Sequence, residues 1–377
     1  MAKIRVLQVI GKMNRAGAET LIMNIYRNID REKVQFDFVV HGNEKCDYDD
    51  EIEKMGGIIY HAPTYKIYNY LEYKKWWKNF FKEHKEYVIM HGHIRSSAPI
   101  YLKEAKKHRL YTIVHSHSAD RRDFRGFLFH MLTYNIRKYA DFFYGCSAEA
   151  LKNAFGKKVL ESSNSQVLKN GIDVKKYIFN QKKREDLRKK MGIDDYFVIG
   201  HIGRFTYAKN HRFLIDVFEQ ILKKNKKSVL ILVGRGELEG EIKKYIETKK
   251  LSNNIKFLGV REDVNDLLMS FDAFVFPSFF EGLSVVGIEA QATGIKCFVS
   301  EAFTDEGILS NNVYKLSLSN TPEEWANCIL KEATNYERKD FSKIVNQKGF
   351  NIVETARQIE KFYLSKYDES EWIIWKY

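Results

Sequence analysis

The sequence predicts an α/β protein with two doubly wound domains, each a parallel sheet covered by helices on both faces. The chain has 377 residues, too long for one ordinary domain and suited to two. Short segments rich in Val, Ile and Leu alternate with segments of helical periodicity, which is the pattern of parallel α/β sheets. The alternation restarts after the charged stretch 181–190. We therefore expect two domains facing each other across a cleft, with ligands bound beyond the carboxyl ends of the strands.

The first half opens with a strand, a glycine-containing loop and a helix. Residues 3–10 are rich in Ile, Val and Leu, as a buried parallel strand should be. The loop runs from Gly11 to Gly17, and apolar residues recur at helical spacing from Ala18 onward. Further strands are predicted at 36–40, 58–60, 88–90, 111–114 and 142–144, and a long helix at 70–84.

The same alternation predicts a second sheet in the second half. Its strands are predicted at 197–200, 229–233, 255–258, 273–276 and 297–299. We place the domain boundary between 180 and 195, with the first domain at 1–185 and the second at 186–360.

Composition and charge narrow the class of protein. Hydrophobic residues make up 44% of the chain and charged residues 29%, which excludes a disordered or collagen-like chain. The four cysteines lie far apart, so we expect neither a disulfide framework nor a cysteine-rich zinc site. We find neither a signal peptide nor an apolar run of about 20 residues. A cytoplasmic protein, soluble or peripheral at the inner face of the membrane, is expected.

The positive charge is concentrated in one region. The formal net charge is +13, and residues 65–140 carry 16 Lys or Arg against 6 Asp or Glu. This region is expected to attract an anion: a phosphate, a nucleic acid or an acidic membrane surface. Within it, residues 124–132 have apolar side chains at helical spacing, flanked by arginines. They form either an interfacial helix that contacts anionic lipid or a core helix with a basic face, and the second interpretation is favoured.

A loop that precedes a helix carries the most informative motif. Glu281 and Gly282 follow the predicted strand 273–276, and Ser284 is placed to cap a helix that ends near 293. The amides of Leu283, Ser284 and Val285 would then form an anion site for a diphosphate, which Gly282 allows to approach closely.

Glu289 lies in the second turn of the same predicted helix. A carboxylate at that position is placed to accept hydrogen bonds from a pair of sugar hydroxyls. The alternative is that Glu281 and Glu289 are ordinary solvated glutamates.

A second loop supplies cations. Gly203, Arg204 and Lys209 follow the strand 197–200 and precede an amphipathic helix. Arginine offers planar, bidentate contacts to phosphate, and lysine a mobile point charge. Two solvated surface cations are the alternative, but the glycine turn and the acidic motif downstream favour an anion clamp.

Two His-x-His pairs end predicted strands, His91 with His93 and His115 with His117. Because strand side chains alternate, each pair lies on one face, so a metal site is one interpretation. No acidic or cysteine partner occurs at matching spacing, and for His91 and His93 we favour core or capping histidines.

Taken together, these residues resemble a known family. Glu281 and Glu289, with seven residues between them, and Gly203, Arg204 and Lys209 resemble the signature of the family-4 retaining glycosyltransferases. The resemblance extends over at least residues 4–360. It implies the GT-B architecture, in which two Rossmann-like domains face each other across a cleft.

The resemblance also implies roles for these residues. In the family, the residues that match Arg204 and Lys209 neutralise the diphosphate of a nucleotide sugar. The glutamate that matches Glu289 holds the ribose hydroxyls. The residues that match Glu281 and His115 lie against the transferred sugar.

Three further positions match the family more loosely. Gly234 lies in a segment that resembles the loop lining the base and ribose, and Val260 in one that resembles the backbone reading the base. Gly17 lies in a segment that resembles the glycine-rich loop over the phosphates, where this chain has one glycine fewer than the usual pair. The resemblance also implies that the final segment, about 361–377, packs back on the first domain.

The function that follows is a retaining glycosyltransferase of cell-surface polysaccharide synthesis. It would move a sugar from a UDP-sugar donor to a hydroxyl of a glycan or lipid-linked acceptor. Arg204, Lys209 and the helix amides would stabilise the leaving diphosphate, so no metal or other cofactor is expected.

Two alternatives remain open. A nucleotide-sugar epimerase shares the fold and would convert the donor without an acceptor. A basic nucleic-acid-binding protein would account for the charge, but the aromatic residues of the basic region have helix-core spacing and no nucleic-acid module is recognised, so no nucleic-acid partner is expected.

Overall fold

The computed structural model describes residues 3–117 and 124–374, with side chains for 3–117 and 129–369. The chain divides into two compact units. The first comprises the chain up to Gly171 and the segment from Ile352 onward, and the second comprises Ile172–Asn351. Within the described residues each unit has one parallel sheet, of seven strands in the first and six in the second. The predicted class, two doubly wound α/β domains, is confirmed.

The sheet of the first unit has the strand order β3-β2-β1-β4-β5-β6-β7. The central strand β1 pairs with β2 and β4, so that Val9 lies opposite Val39 on one side and Gly92 on the other. The strands are β1 (Ile4–Val9), β2 (Val34–His41), β3 (Ile59–Ala62), β4 (Ile89–Gly92), β5 (Tyr111–Ser116), β6 (Phe142–Gly145) and β7 (Ser165–Val167).

Helices cover both faces of this sheet. Because neighbouring strand residues point to opposite faces, Val6 packs in one core layer and Leu7 in the other. The helices of this part are α1 (Gly17–Asn28), α2 (Asp49–Lys54), α3 (Tyr70–Glu83), α4 (Ala98–Lys107), α5 (Phe124–Thr133), α6 (Ile136–Tyr139), α7 (Ala148–Phe155) and α8 (Lys157–Leu160).

The sheet of the second unit has the order β10-β9-β8-β11-β12-β13. Its chain runs outward from β8 on one side and then outward from β11 on the other, so the strand order reverses between β8 and β11. The strands are β8 (Phe197–Ile202), β9 (Ser228–Val233), β10 (Ile255–Gly259), β11 (Ala273–Phe276), β12 (Lys296–Ser300) and β13 (Val313–Leu316).

The helices of the second unit begin with the charged stretch of the sequence. They are α9 (Gln181–Met191), α10 (His211–Lys224), α11 (Glu239–Thr248), α12 (Val264–Ser270), α13 (Val285–Ala292), α14 (Pro322–Ala333) and α15 (Ser342–Gln347). Helix α9 is docked by Arg188, which is buried and donates to the Ser270 carbonyl and to Asp272, each at 3.0 Å. The change of unit at Gly171 therefore precedes the boundary that we placed near 185.

The last helix, α16 (Ile352–Ile374), returns to the first unit. Ile352, Ala356, Ile359 and Tyr363 are buried in the core layer that also contains β1 and α1 residues. Glu360 accepts a hydrogen bond from the Asp30 amide at 2.9 Å. None of the helices within the described ranges is long and apolar enough to cross a membrane.

Candidate active site

Two loops meet where the strand order of the second unit reverses. One follows β8 and leads to α10, and the other follows β11 and leads to α13. The two strands are neighbours, with Phe274 opposite Gly200, and the loops are joined by a hydrogen bond of 2.8 Å from the Phe279 amide to the Ala208 carbonyl. Carboxyl ends at such a reversal are the usual ligand site of doubly wound sheets.

The structure brings together Lys209 and Glu281, one from each loop. The Lys209 Nζ lies 2.6 Å from Glu281 Oε1 and 4.4 Å from the centroid of the Phe276 ring. The side chains are only 21% and 7% exposed, so each is the main compensation for the other's charge. Lys209, which the resemblance assigns to the diphosphate, and Glu281, which it assigns to the transferred sugar, therefore lie in the same small site.

Helix α13 begins beside this pair with the predicted cap. The Ser284 hydroxyl accepts a hydrogen bond of 3.3 Å from the Gly287 amide, the third of the helix. Val285 and Val286 supply the two preceding amides, which have no partner within a helix and suit an anion. The predicted Leu283 lies ahead of the helix, and its buried side chain packs against the core of this unit.

Glu289 lies on the second turn of α13, half-buried. Its Oε1 accepts a hydrogen bond of 2.6 Å from the Tyr177 hydroxyl. Burial raises the pKa of Glu289, and the Tyr177 hydrogen bond opposes that rise only in part. Tyr177 was not among the predicted site residues, since nothing in the local spacing links it to a glutamate 112 residues away.

Arg204 occupies a different environment from Lys209. Its side chain is 72% exposed, and its Nη2 lies 4.0 Å from a carboxylate oxygen of the exposed Glu237. Exposed pairs at that distance contribute little. The guanidinium is therefore able to turn toward an incoming anion at small cost.

Glycines bring the ends of three strands close together. The Gly203 amide donates to the Val233 carbonyl at 2.9 Å, and the Gly234 amide to the Gly259 carbonyl at 2.8 Å. Gly234 has φ +132°, and a Cβ there would lie 2.1 Å from the Gly203 oxygen. The backbone approach at this point requires glycine.

The other predicted donor residues lie at open positions. Val260 follows β10 and is exposed. A Cβ on Gly282, beside Glu281, would meet no atom within 4 Å, and the same holds for Gly17, the first residue of α1 in the other unit. Backbone groups at Gly17 and Gly282 are thus accessible to a ligand.

Two buried histidines lie behind the Lys209 loop and were not predicted as site residues. The Nδ1 of His201 donates to the Val275 carbonyl at 2.9 Å. Among the residues described, neither the Nε2 of His201 nor either nitrogen of His211 has a partner. Burial lowers the pKa of His201 well below its ordinary value and that of His211 to about 4, so both rings are neutral at pH 7.

The first unit holds the four predicted histidines in one stacked cluster. The ring centroids of His115 lie 4.0 Å from His117, 5.5 Å from His91 and 5.6 Å from His93. His91, favoured above as a core or capping residue, is buried, whereas His93, for which we expected the same, is half-buried. His115 is buried as well. Burial lowers the pKa of His117 to about 3 and that of the other three well below the ordinary value.

A hydrogen-bond chain fixes the protons of this cluster. Gln8 Oε1, which only accepts, lies 2.9 Å from His93 Nε2, so that nitrogen carries the proton. His93 Nδ1 then accepts from His117 Nε2 at 2.8 Å. This leaves the buried Nδ1 of His117 as an acceptor for which the described residues offer no donor.

Tyr363 of α16 forms the other end of this chain of hydrogen bonds. Its hydroxyl lies 2.6 Å from His91 Nδ1 and 3.4 Å from Gln8 Nε2. A signal for Gln8 exists in the sequence, because it is a polar residue between the apolar Leu7 and Val9 of a mostly apolar strand. For Tyr363, 272 residues from His91, the sequence holds none.

Three of these rings lie close enough together to be candidate metal ligands. Ligand nitrogens from His91, His93 and His115 lie within 4.8 Å of one another. Nitrogens bound tetrahedrally to zinc at about 2.0 to 2.1 Å are only about 3.4 Å apart. Both nitrogens of His93 are already hydrogen-bonded, to Gln8 and His117. A metal ion would therefore have to displace a hydrogen bond of His93 and draw the ligand nitrogens to tetrahedral spacing.

Comparison with known proteins agrees with this arrangement. The sequence model described as Glycosyltransferase Family 4 matches residues 15–176, and the one described as Glycosyl transferases group 1 matches residues 183–347. EpsF of Bacillus subtilis (strain 168), named as a glycosyltransferase, is 32% identical over 372 residues, which cover 95% of this chain and 96% of EpsF.

A second relative and a solved structure extend the comparison. The capsular polysaccharide biosynthesis glycosyltransferase CapH of Staphylococcus aureus is 28% identical over 379 residues, 96% of this chain and 99% of CapH. The crystal structure of HepE from Anabaena in complex with UDP-glucose matches with a TM-score of 0.79 at 19% identity, covering 96% of this chain and 100% of that one. The fold is thus that of the GT-B glycosyltransferases, and the chain belongs to glycosyltransferase family 4.

Proposed function

We propose that this glycosyltransferase is a retaining enzyme of cell-surface polysaccharide synthesis. It moves a sugar from a UDP-sugar to a hydroxyl of a glycan or lipid-linked acceptor. The observation that carries the proposal is the contact of 2.6 Å between Lys209 and Glu281 beside the start of α13, at the strand-order reversal of the second unit. The role of CapH in capsular polysaccharide biosynthesis supports the polysaccharide assignment, and the UDP-glucose complex of HepE supports the donor.

The donor diphosphate is assigned to the amides of Val285 and Val286, with Lys209 and Arg204 as its cations. Once the donor is bound, these groups are in place before the sugar is transferred. They therefore stabilise the charge that develops on the leaving diphosphate without moving further. Two cations and a helix N-terminus supply the charge that a divalent ion would otherwise bring. We therefore propose that transfer needs no metal and no other cofactor.

Lys209 has a partner to exchange when the donor binds. In the structure its ammonium group contacts Glu281, which is almost wholly buried. A diphosphate at the start of α13 would compete for that ammonium group. Glu281 is then released to accept hydrogen bonds from the hydroxyls of the transferred sugar.

The ribose hydroxyls of the donor are assigned to Glu289. The Tyr177 hydroxyl donates to one carboxylate oxygen, Oε1, which orients the group and leaves Oε2 for ribose. Gly203, Gly234 and Val260 belong to the adjoining strand ends, and we assign them to the ribose and the base.

Within the first unit, the transferred sugar is assigned to His115 and its neighbour His117. Their lowered pKa values keep both rings neutral at pH 7. They therefore orient hydroxyl groups by hydrogen bonds. Gly17 at the start of α1 is assigned to the donor phosphates.

Retention is proposed to follow from attack on the front face of the sugar. The bond between the anomeric carbon and the diphosphate oxygen breaks. The acceptor oxygen bonds to that carbon on the same face, and its proton passes to the departing diphosphate. No carboxylate nucleophile is needed for this route.

The test is thermal unfolding in the presence of UDP, GDP, ADP, CMP or a short DNA duplex, each with and without EDTA. A nucleotide at about 100 times its dissociation constant should raise the free energy of unfolding by roughly 2.7 kcal/mol. We expect UDP alone to stabilise the protein, to the same degree with EDTA. Stabilisation by DNA and by no nucleotide would contradict the proposal.

A second measurement separates transfer from epimerisation. Incubation of the enzyme with a stabilising UDP-sugar and no acceptor should leave the sugar configuration unchanged in the NMR spectrum. With an acceptor, the anomeric coupling of the product should match that of the donor. Inversion at the anomeric carbon would contradict the retaining mechanism, and conversion of the sugar without acceptor would identify an epimerase.

The location proposed is the cytoplasmic face of the membrane. The basic region of the sequence motivates it, since an anionic lipid surface would concentrate such a protein near a lipid-linked acceptor. The segment 121–138, for which lipid contact was the less favoured interpretation, includes side chains 121–128, which lie outside those described.

A further inference from the structure

Three apolar side chains of the first unit are exposed together. Ile67, Tyr68 and Leu71 are 79%, 82% and 78% exposed, the highest values among the large hydrophobic side chains described. They lie within five consecutive residues, on a 3₁₀ turn (Ile67–Asn69) and the first turn of α3. We call these three residues the apolar tip.

The backbone that presents the tip is firmly held. Asn69 accepts a hydrogen bond of 2.7 Å from the Lys66 amide and donates one of 3.0 Å to the Thr64 carbonyl. The opposite face of α3 is anchored in the core by Tyr73, Trp77, Phe80 and Phe81. The exposure of the tip therefore comes from a fixed, well-packed element.

Lysines continue the exposed face from the tip. Lys75, Lys78 and Lys82 follow Leu71 at i+4, i+7 and i+11, which places all four on one side of the helix. All three lysines are exposed, and within the described part of the chain they form no ion pair. We call them the lysine stripe.

One more cation lies at the tip itself. The Lys66 ammonium group is 5.6 Å from the centroid of the Tyr68 ring. The acidic residues of the helix are Glu72 and Glu83, which are 11 positions apart and therefore lie on one side of the helix. That side differs from the side that carries the lysine stripe. The exposed face thus combines apolar and positive groups and excludes the negative ones.

We infer that the apolar tip and the lysine stripe dock the first unit on an anionic bilayer surface. Apolar side chains inserted at the level of the headgroups, next to lysines that contact anionic lipid, are the chemistry of interfacial membrane binding. The inference rests on the proposed function for the location of the acceptor at a membrane. The binding itself requires no step of the transfer reaction.

A bilayer fits this surface better than a protein partner does. A stable protein interface buries about 800 Å² on each side. Three side chains supply only a fraction of that area, and lysines are depleted from the cores of protein interfaces. Lysine ammonium groups on flexible stems suit a surface whose negative charges are themselves mobile.

The test is sedimentation of the full chain with vesicles of phosphatidylcholine, alone or with anionic phosphatidylglycerol. Two variants address the surface: Ile67→Ser with Leu71→Ser, and Lys75→Gln with Lys78→Gln and Lys82→Gln. We expect binding to anionic vesicles that weakens with salt. The lysine variant should bind at least about tenfold more weakly, given roughly fivefold for each lysine near the surface. The serine variant should also bind more weakly, because it removes two of the three apolar side chains of the tip.

Matched controls change the same chemistry elsewhere. Ile58→Ser removes an exposed isoleucine of the same unit, and Lys223→Gln with Lys226→Gln and Lys227→Gln removes three exposed lysines of the second unit. Both should bind vesicles like the parent. Stabilisation by UDP should be equal in all five proteins, so a failure of the donor assignment would be seen separately.

Three outcomes would overturn the inference. The first is equal binding to anionic and neutral vesicles. The second is unchanged binding by both surface variants, which would transfer the role to the basic region 121–138. The third is binding of the surface to duplex DNA with none to vesicles at the same salt concentration.

Discussion

Lys209 and Glu281 form a largely buried ion pair with each other. A lysine and a carboxylate that are both largely buried are stable only as a pair, because either one alone would be an uncompensated charge. Arg204, close in sequence, has no such constraint. The two cations that the sequence presents as equivalent therefore differ in what their removal should do.

Lys209→Ala and Arg204→Ala should separate binding from stability. Each removes a charge-assisted phosphate contact of about 1.5 to 3 kcal/mol, so both should weaken UDP binding. Lys209→Ala should also lower the free energy of unfolding, by about 3 kcal/mol, because it leaves Glu281 buried without its partner. Arg204→Ala should leave the stability nearly unchanged. Calorimetry and UDP titration measure the two effects.

The double variant Lys209→Met with Glu281→Gln provides the control. It removes both charges, so it should recover most of the stability lost in Lys209→Ala while UDP binding remains weak. Equal stability of the two single variants would contradict the paired-charge account, and full UDP affinity in both would remove the phosphate clamp.

Glu289 should give UDP binding a pH dependence. Its raised pKa means that the carboxylate takes up a proton at a pH above the ordinary value for glutamate. Only in the ionised form are both oxygens acceptors, with Oε1 accepting from Tyr177 and Oε2 left for ribose. The dissociation constant for UDP should therefore rise as the pH falls through this pKa. Glu289→Gln should bind UDP more weakly and lose that part of the pH profile.

The stability of the protein should respond in the opposite sense. Because the pKa of Glu289 is raised by folding, its ionisation destabilises the fold, and stability is lost as the pH rises through that pKa. Glu289→Gln should therefore be at least as stable as the parent at pH 7. A less stable variant would mean that the Tyr177 hydrogen bond outweighs the burial of charge.

At the scale of the elements, every central strand of the two described sheets was predicted, and so were the edge strands β3 and β10. The predicted strand 273–276 coincides with β11, and 36–40 lies inside β2, which is buried at every position. The short edge strands β7 and β13 were not predicted. Their residues are mostly half-exposed, so they lack the continuous apolar run that marks a central parallel strand.

In the site, the features that depend on neighbouring residues in the sequence were predictable, and the contacts between distant residues were not. Ser284 caps α13 as predicted, and the helix ends at Ala292, close to the predicted 293, because capping chemistry is local in sequence. Tyr177, Gln8 and Tyr363 act on residues far along the chain, through contacts that only the packed sheets create. Local spacing carries no record of such pairs.

Gly234→Ala tests the close approach of the strand ends. The positive φ and a Cβ only 2.1 Å from the Gly203 oxygen mean that the backbone must move. We expect a loss of at least about 2 kcal/mol in the free energy of unfolding, with weaker UDP binding. Chemical denaturation would measure it.

Gly240→Ala is the matched control, since a Cβ there meets no atom within 4 Å in helix α11. It should be neutral or stabilising by up to about 1 kcal/mol. If the two variants were equally stable, the crowding at Gly234 would not constrain the fold.

At the scale of the whole molecule, more buried neutral histidines are described in the first unit than in the second. Burial lowers the pKa of five described histidines in the first unit, namely His41, His91, His93, His115 and His117. In the second unit it does so for His201 and His211. The first unit should therefore be the more sensitive to acid.

Calorimetry between pH 7 and pH 5 tests this expectation. The unfolded chain takes up protons below about pH 6.5 while the folded rings do not, so stability falls with pH by about 2 kcal/mol for each such ring at pH 5. We expect two unfolding transitions, one for each unit. UDP should raise the unfolding temperature of the second unit, and acid should lower mainly that of the first. A uniform shift of both transitions with pH would contradict the assignment.

The return of α16 to the first unit has a consequence for biosynthesis. Ile352, Ala356, Ile359 and Tyr363 complete the core layer that β1 and α1 begin. A ribosome releases the whole second unit, Ile172–Asn351, before it releases those four residues. The nascent first unit therefore keeps an apolar face exposed while the second unit is synthesised. The second unit can fold during that time. The domain that is translated first is the last to be finished, and chaperones that bind exposed apolar surface would meet it during that interval.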